Sequence, residues 1–160
     1  MICFDTSPII WGVQGVSSEG QTEMIGRTKH YIEYLAEQKK RIMIPVPALT
    51  EYLLNFDPVE QKEQRKVIEK NFFVPSYDIP AAAIAAELLG NKQLIREMRN
   101  NKEYDKMKAS TDAQIIAIAI VNGAEKIISH DSGLKKLSQG KISVEEVPII
   151  QSQIKMPFAK

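Results

Sequence analysis

One cysteine (Cys3) and two histidines (His30 and His130) are the only thiol or imidazole side chains in this sequence. A single thiol forms no internal disulfide, and three such residues fall short of the Cys and His sets that hold structural zinc. No G-x-S-x-G occurs, and neither histidine has the surroundings of a Ser or Cys triad. An excess of one charge is also missing: 21 Lys and Arg stand against 20 Asp and Glu, a net charge of +1. That excludes a protein held to nucleic acid mainly by bulk charge, though not a local basic groove. Long apolar runs are absent too. The longest, residues 115–121, is far too short to span a bilayer, and no basic region followed by a long apolar stretch opens the chain as a signal peptide would. With the single thiol, this sets the expectation of a cytoplasmic protein without a membrane segment.

What is present suits one domain. The chain has 160 residues, 44% of apolar type and 26% charged, enough for an ordinary core and too apolar for wholesale disorder. A single domain is expected over residues 1–150, with a weakly patterned tail over 151–160. Residues 1–4 form an apolar run ending at Asp5, the pattern of a strand buried on both faces. Gly12, Gly15, Gly20 and Gly26, with Ser17 and Ser18, predict a flexible loop over 12–26. A helix is expected over 29–39, with Tyr31, Tyr34 and Leu35 on one face. A strand over 41–46 follows, then a helix opening near Pro47 with Leu49, Tyr52, Leu53 and Phe56 at spacings of three and four. Residues 59–70 read as a charged helix and 72–74 as a short strand. Residues 80–99 read as one helix, or two broken near Gly90. The most apolar helix is expected over 111–122, ended by Gly123. Strands over 126–129 and 142–147 flank a short helix over 133–137. Alternating strands and helices predict an α/β fold, a three-layer α/β/α sandwich around a mostly parallel sheet of four to five strands.

In such sheets ligands sit beyond the carboxyl ends of the strands. Asp5 and Asp131 each end a strand run, Glu51 lies in the first turns of the helix after the second strand, and Asp112 opens another helix. Thr111 and Gln114 fit a capping box, which would put Asp112 at the first helical position. Each acid has a plainer role beside a shared one. Asp5 suits a turn with Thr6 and Ser7. Asp112 suits a helix dipole and Asp131 an N-cap. Glu51 falls off the apolar stripe of its helix, as a solvated residue does. If the four converge, their mutual repulsion is relieved by a divalent cation, and hard carboxylate oxygens without sulfur or imidazole suit Mg²⁺ or Mn²⁺.

Three segments carry a resemblance. They are ICFDTSPII at residues 2–10, PALTEYLLN at 47–55, and STDAQIIAIAIVNGAEKIISHDSGLKKL at 110–137. The last, a D-x-x-I-A-x-A helix, a Gly-terminated turn and a strand ending in S-x-D, is the most specific. The chain resembles the PIN-domain nucleases, and more narrowly the VapC-like toxins of toxin–antitoxin pairs, in order from Asp5 to about Val147. The resemblance implies a PIN-like fold and an acidic quartet of Asp5, Glu51, Asp112 and Asp131 that is both metal-holding and catalytic. It implies supporting roles for Thr6 and Ser129, and hydrolysis of RNA phosphodiesters with Mg²⁺ or Mn²⁺. The partners it implies are an RNA substrate, a cognate antitoxin protein and a second copy in a homodimer. Two departures stand out: a longer segment between Trp11 and Thr28, and Gly133 where some members carry a further acid or Asn.

Substrate contact is expected from Arg96, Arg99, Lys102, Lys106 and Lys108, which lead toward Asp112. A solvated face is the alternative. Tyr104 suits a stacked base or an ordinary surface position. The segment GVSSEGQT at 15–22 approaches a phosphate loop but has Gln21 where the lysine belongs. An Asp-nucleophile phosphatase would need an acid at Ser7. Two further readings stay open: a catalytically inert PIN-like binding module, and a DNA-directed nuclease of the same superfamily.

Overall fold

The computed structural model describes residues 1–100 and 104–151. Among these residues the sheet has four strands: β1 (Ile2–Phe4), β2 (Ile42–Met43), β3 (Lys126–Ile128) and β4 (Ser143–Glu145). Their order across the sheet is β2-β1-β3-β4, and every pairing is parallel. Parallel neighbours need crossovers, and helices supply them. Between β1 and β2 run α1 (Thr6–Ile9), a π-helical turn (Ile10–Gln14) and α2 (Glu23–Glu37). Between β2 and β3 run α3 (Val46–Leu53), α4 (Pro58–Asn71), α5 (Ile79–Leu89), α6 (Lys92–Arg99) and α7 (Lys106–Val121). The short α8 (Ser132–Leu137) joins β3 to β4. The expected mostly parallel α/β sheet is found, with four strands. Residues 72–74 contribute one isolated parallel bridge, Met43 to Phe73, with Phe73 donating to the Ile42 carbonyl and accepting from the Ile44 amide.

The sheet centre is apolar on both faces. Cys3, Phe4, Met43, Ile127 and Ile128 are wholly buried, as helices covering both sides require. Helix α7 is buried through Ile115, Ile116, Ala117, Ile118 and Ala119, so it runs through the interior with no solvent stripe over those residues. Gly123 ends it at φ +69, a left-handed conformation in which other residues are strained. No helix among the described residues is long and apolar enough to cross a membrane.

Two sequence expectations are corrected. Residues 12–26 are not a continuous loop, because the π-helical turn and α2 leave only residues 15–22 outside helix. Gly12 lies inside the turn, where a Cβ would stand 2.5 Å from Ile32 Cδ1 and 2.9 Å from Thr28 Cγ2. It is there for close packing, not for freedom. Helix α7 begins at Lys106, not at Thr111, because Asp105 caps it through the Lys108 amide at 2.8 Å. Thr111 Oγ1 instead donates back to the Met107 carbonyl, so no capping box forms there and Asp112 sits in the second turn. Residues 80–99 take the two-helix form, with Asn91 capping the second helix.

The core fixes how α7 lies on the sheet. Ile116→Ala is expected to lower the unfolding free energy by about 2–5 kcal/mol, while Val59→Ala, at a position 73% exposed, is expected to change it by less than about 0.5 kcal/mol. Urea denaturation of the two variants checks the contrast.

Candidate functional site

Strand β1 crosses over to β2 on one side, and β3 leads on to β4 on the other, so the crevice between β1 and β3 is where the sheet divides. Asp5 emerges there, its amide still donating to the Ile128 carbonyl at 3.1 Å. Asp131 emerges three residues beyond β3. Asp112 faces the same edge from α7, one turn beyond Ala109 and one before Ile115 and Ile116 on the helix's buried side. An acid on that apolar stripe is only 5% exposed, and Asp5 is 8% exposed. Glu51, on α3, is exposed and reaches the edge through Thr6.

Each carboxylate has its own partners. Thr6 Oγ1 donates to Glu51 Oε2 at 2.5 Å. Ser129 Oγ donates to Asp5 Oδ2 at 2.7 Å and accepts the Asp131 amide at 3.1 Å, so one hydroxyl links the ends of β1 and β3. Asp131 Oδ1 accepts the Gly133 and Leu134 amides at 2.7 and 3.2 Å, and in this it is the N-cap of α8. Its Oδ2 accepts Lys108 Nζ. Asp112 Oδ2 accepts the Tyr104 hydroxyl at 2.9 Å and lies 3.8 Å from Lys108 Nζ. Asp5 precedes α1 without capping it by its side chain, so the turn-capping role does not account for it.

The electrostatics follow from burial. Desolvation, with the Glu51 and Asp131 charges behind it, pushes the Asp5 carboxyl up, against hydrogen bonds from the Ser129 hydroxyl and the Thr6 amide. Asp112 is pushed up to about 7, first by burial and then by the Asp131 and Asp5 charges, against Lys108 and the Tyr104 hydroxyl. Asp131 is also desolvated, but the Lys108 bond and charge and the two amides outweigh this and hold it below the ordinary range. Burial, then the Asp112 charge, push the Tyr104 phenol well up, so it stays a donor.

The edge is built for hard oxygen ligation in donor type: carboxylates and hydroxyls, with no sulfur or imidazole. His130 is directed elsewhere, its Nε2 accepting the Val147 amide at 3.0 Å and its ring edge-on to Trp11. Among the described residues, however, no three of the Asp, Glu, His and Cys side chains stand close enough to surround a metal ion. The donor chemistry fits a divalent cation, while the side-chain placement gives the space between Asp131 and Asp112 to the Lys108 ammonium.

Two residues take places that the sequence did not indicate. Tyr104 is 7% exposed and stands against Asp112, not open to a base. Lys108 points into the acids, not along an outer face. The signal was Asp105: once it is the N-cap, Lys108 and Asp112 fall one turn apart on α7. Gly133 is also explained. A Cβ there would stand 2.6 Å from the Tyr104 ring and 3.0 Å from Asp131 Oδ1, so this packing leaves no room for a further acid. Arg96, Arg99 and Lys106 line a separate groove of about 720 Å³, with Lys92 and, among the described residues, no acid. Lys102 lies outside the described residues.

Asp112 gives a pH test. Its folded pKa is raised above the unfolded value of about 3.9, so its contribution to stability is fully present below pH ~4 and is lost as pH rises through about 7. With EDTA present, Asp112→Asn is expected to melt higher than the parent at pH 8, and the difference is expected to shrink by pH 5. Thermal unfolding across that range checks the sign.

No protein-family model and no curated protein sequence matches the chain. Solved structures do. A chain of VapBC2 from Rickettsia felis, crystallised with a DNA fragment from their promoter, superposes with a TM-score of 0.61 at 14% identity, over 91% of this chain and 98% of that one. Mycobacterium tuberculosis VapC20, a sarcin-ricin loop cleaving toxin, gives a TM-score of 0.52 at 18% identity, over 92% of this chain and 100% of that one. At these identities the likeness is one of fold, and the chain has the PIN-like fold of these VapC structures.

Proposed function

We propose that the chain is a divalent-cation-dependent ribonuclease of the PIN type, the toxin of a toxin–antitoxin pair. The observation that supports this reading is that Asp5, Asp112 and Asp131 lie toward the same carboxyl edge between β1 and β3, two of them buried and within electrostatic reach of one another, in a fold shared with VapC20. Buried acids with raised pKa values are a cost to folding, and such costs gather at functional sites. Bound there, Mg²⁺ or Mn²⁺ would supply a Lewis acid and lower the pKa of a water. Asp5, Glu51, Asp112 and Asp131 are the residues that would hold it.

The protein's own contribution is orientation. Ser129 fixes Asp5 against the start of the Asp131 turn, and Thr6 fixes the exposed Glu51 toward the edge. The amides of α8 hold one Asp131 oxygen, leaving the other to face the site. The basic groove of Lys92, Arg96, Arg99 and Lys106 suits a phosphate backbone. An antitoxin partner, supported by the VapBC2 likeness in fold, completes the reading, and a homodimer is proposed beside it.

The alternative is an inert binding module. The placement of Lys108 against Asp131 favours it, since an ammonium satisfies that acid without any metal. Labelled single-stranded and structured RNA, incubated with Mg²⁺, Mn²⁺ or EDTA, separates the two. Cleavage that needs metal and falls by several powers of ten in an Asp5→Asn, Asp112→Asn double variant supports the nuclease. Cleavage that survives in the variant moves the site elsewhere. No cleavage by either protein, with or without metal, favours the module.

The basic groove has its own test. An Arg96→Ala, Arg99→Ala double variant is expected to raise KM with kcat retained. It is also expected to flatten the plot of log affinity against log salt, by about 0.7 for each phosphate that is no longer neutralised. Filter binding at several salt concentrations measures that slope.

A further inference from the structure

Lys108 stands at the third position of α7, in the first turn. A cation there opposes the helix dipole, and Lys preceding Asp by four residues is the weaker order for a helical ion pair. Helix stability therefore does not account for it. What holds the side chain is the acids: Asp131 Oδ2 in direct hydrogen bond, and Asp112 Oδ2 at 3.8 Å. The ammonium also lies 5.8 Å from the centre of the Tyr104 ring, whose hydroxyl donates to the same Asp112 oxygen. Tyr104 thus bonds the Asp112 oxygen that the Lys108 ammonium also approaches.

The same two carboxylates belong to the set assigned to the metal above. An ammonium and a divalent cation cannot both lie between them without strong repulsion. We propose that Lys108 is a displaceable counter-ion: its ammonium and a divalent cation occupy the Asp131–Asp112 position in turn, so that metal enters only as Lys108 leaves. This rests on the metal-nuclease reading of the site.

The exit exists. The Lys108 side chain is 40% exposed and borders a cavity of about 370 Å³ that is also lined by Leu94, Glu97, Met98, Tyr104 and Lys136. Its four-carbon stem turns freely, and Glu97 on the same cavity offers a new partner for the released charge. The α8 amides hold the other Asp131 oxygen throughout, so the carboxylate keeps its position while its partner changes. The exchange lowers metal affinity relative to a site without the lysine, and it keeps the acids from repelling one another before metal arrives.

The test uses the whole chain. Mn²⁺ is titrated by calorimetry into chelator-treated parent, Lys108→Met, Lys108→Gln and Asp5→Asn. Both Lys108 variants are expected to bind Mn²⁺ about tenfold tighter. They are expected to melt lower than the parent in EDTA, and the gap is expected to close at saturating Mn²⁺. Lys108→Gln keeps a donor for Asp131 and serves if Lys108→Met does not fold. A second measurement needs no variant: acetylation of the parent, read by mass spectrometry, is expected to rise several-fold at Lys108 when Mn²⁺ is added. Equal or weaker Mn²⁺ binding by the Lys108 variants, or acetylation of Lys108 that does not rise, overturns the exchange. If the parent binds Mn²⁺ and Asp5→Asn weakens it, the metal site survives that failure. If the parent binds no Mn²⁺, the metal reading falls and the exchange with it.

Discussion

Holding carboxylates together in a poorly solvated crevice is the constraint around which this edge of the molecule is arranged. Asp5 and Asp112 are almost fully buried, and both are pushed up by the loss of water before any neighbouring charge is counted. An uncompensated buried charge costs several kcal/mol (about 3–5 when a partner is removed). The surrounding residues are compensations for that cost. Ser129 gives a hydroxyl to Asp5, Tyr104 gives one to Asp112, and the start of α8 gives two amides to Asp131. Among the described residues, the full positive charge set against them is that of Lys108.

These compensations come from elements far apart in sequence, and the sheet is what gathers them. Parallel strands end on the same side, so the residues following β1 and β3 must emerge together. The α7 helix is buried along its apolar length, so its position is set by packing against the core. Asp112 is carried to the edge by that packing. Tyr104 then closes over Asp112 and over Gly133, the residue whose missing side chain leaves room for the ring. Removing one element of this set changes the environment of the others.

The basic residues before Asp112 divide between two roles. Arg96, Arg99 and Lys106 border a separate basic groove, whereas Lys108 turns into the site. Periodicity over residues 92–108 did not separate them, because the helix break at Asn100 and the new cap at Asp105 reset the phase. The same break hid the pairing of Lys108 with Asp112. A cap at Asp105 was legible as a residue type, but Thr111 and Gln114 offered a rival start, and local propensity does not rank two neighbouring caps.

The sequence by itself determined the α/β pattern, the strands that end at Asp5 and before Asp131, and the candidacy of the four acids. Alternation of apolar runs with helical spacing, and acids at the ends of those runs, are local features that survive without knowledge of the fold. The tertiary structure decided what those acids touch. The α8 amides hold one Asp131 oxygen, but what meets the other is Lys108, more than twenty residues away along the chain. Whether Tyr104 stacks on a base or holds Asp112 depends on where α7 begins. These are matters of distance between side chains on separate elements, and burial by packing, not spacing along the chain, is what sets them.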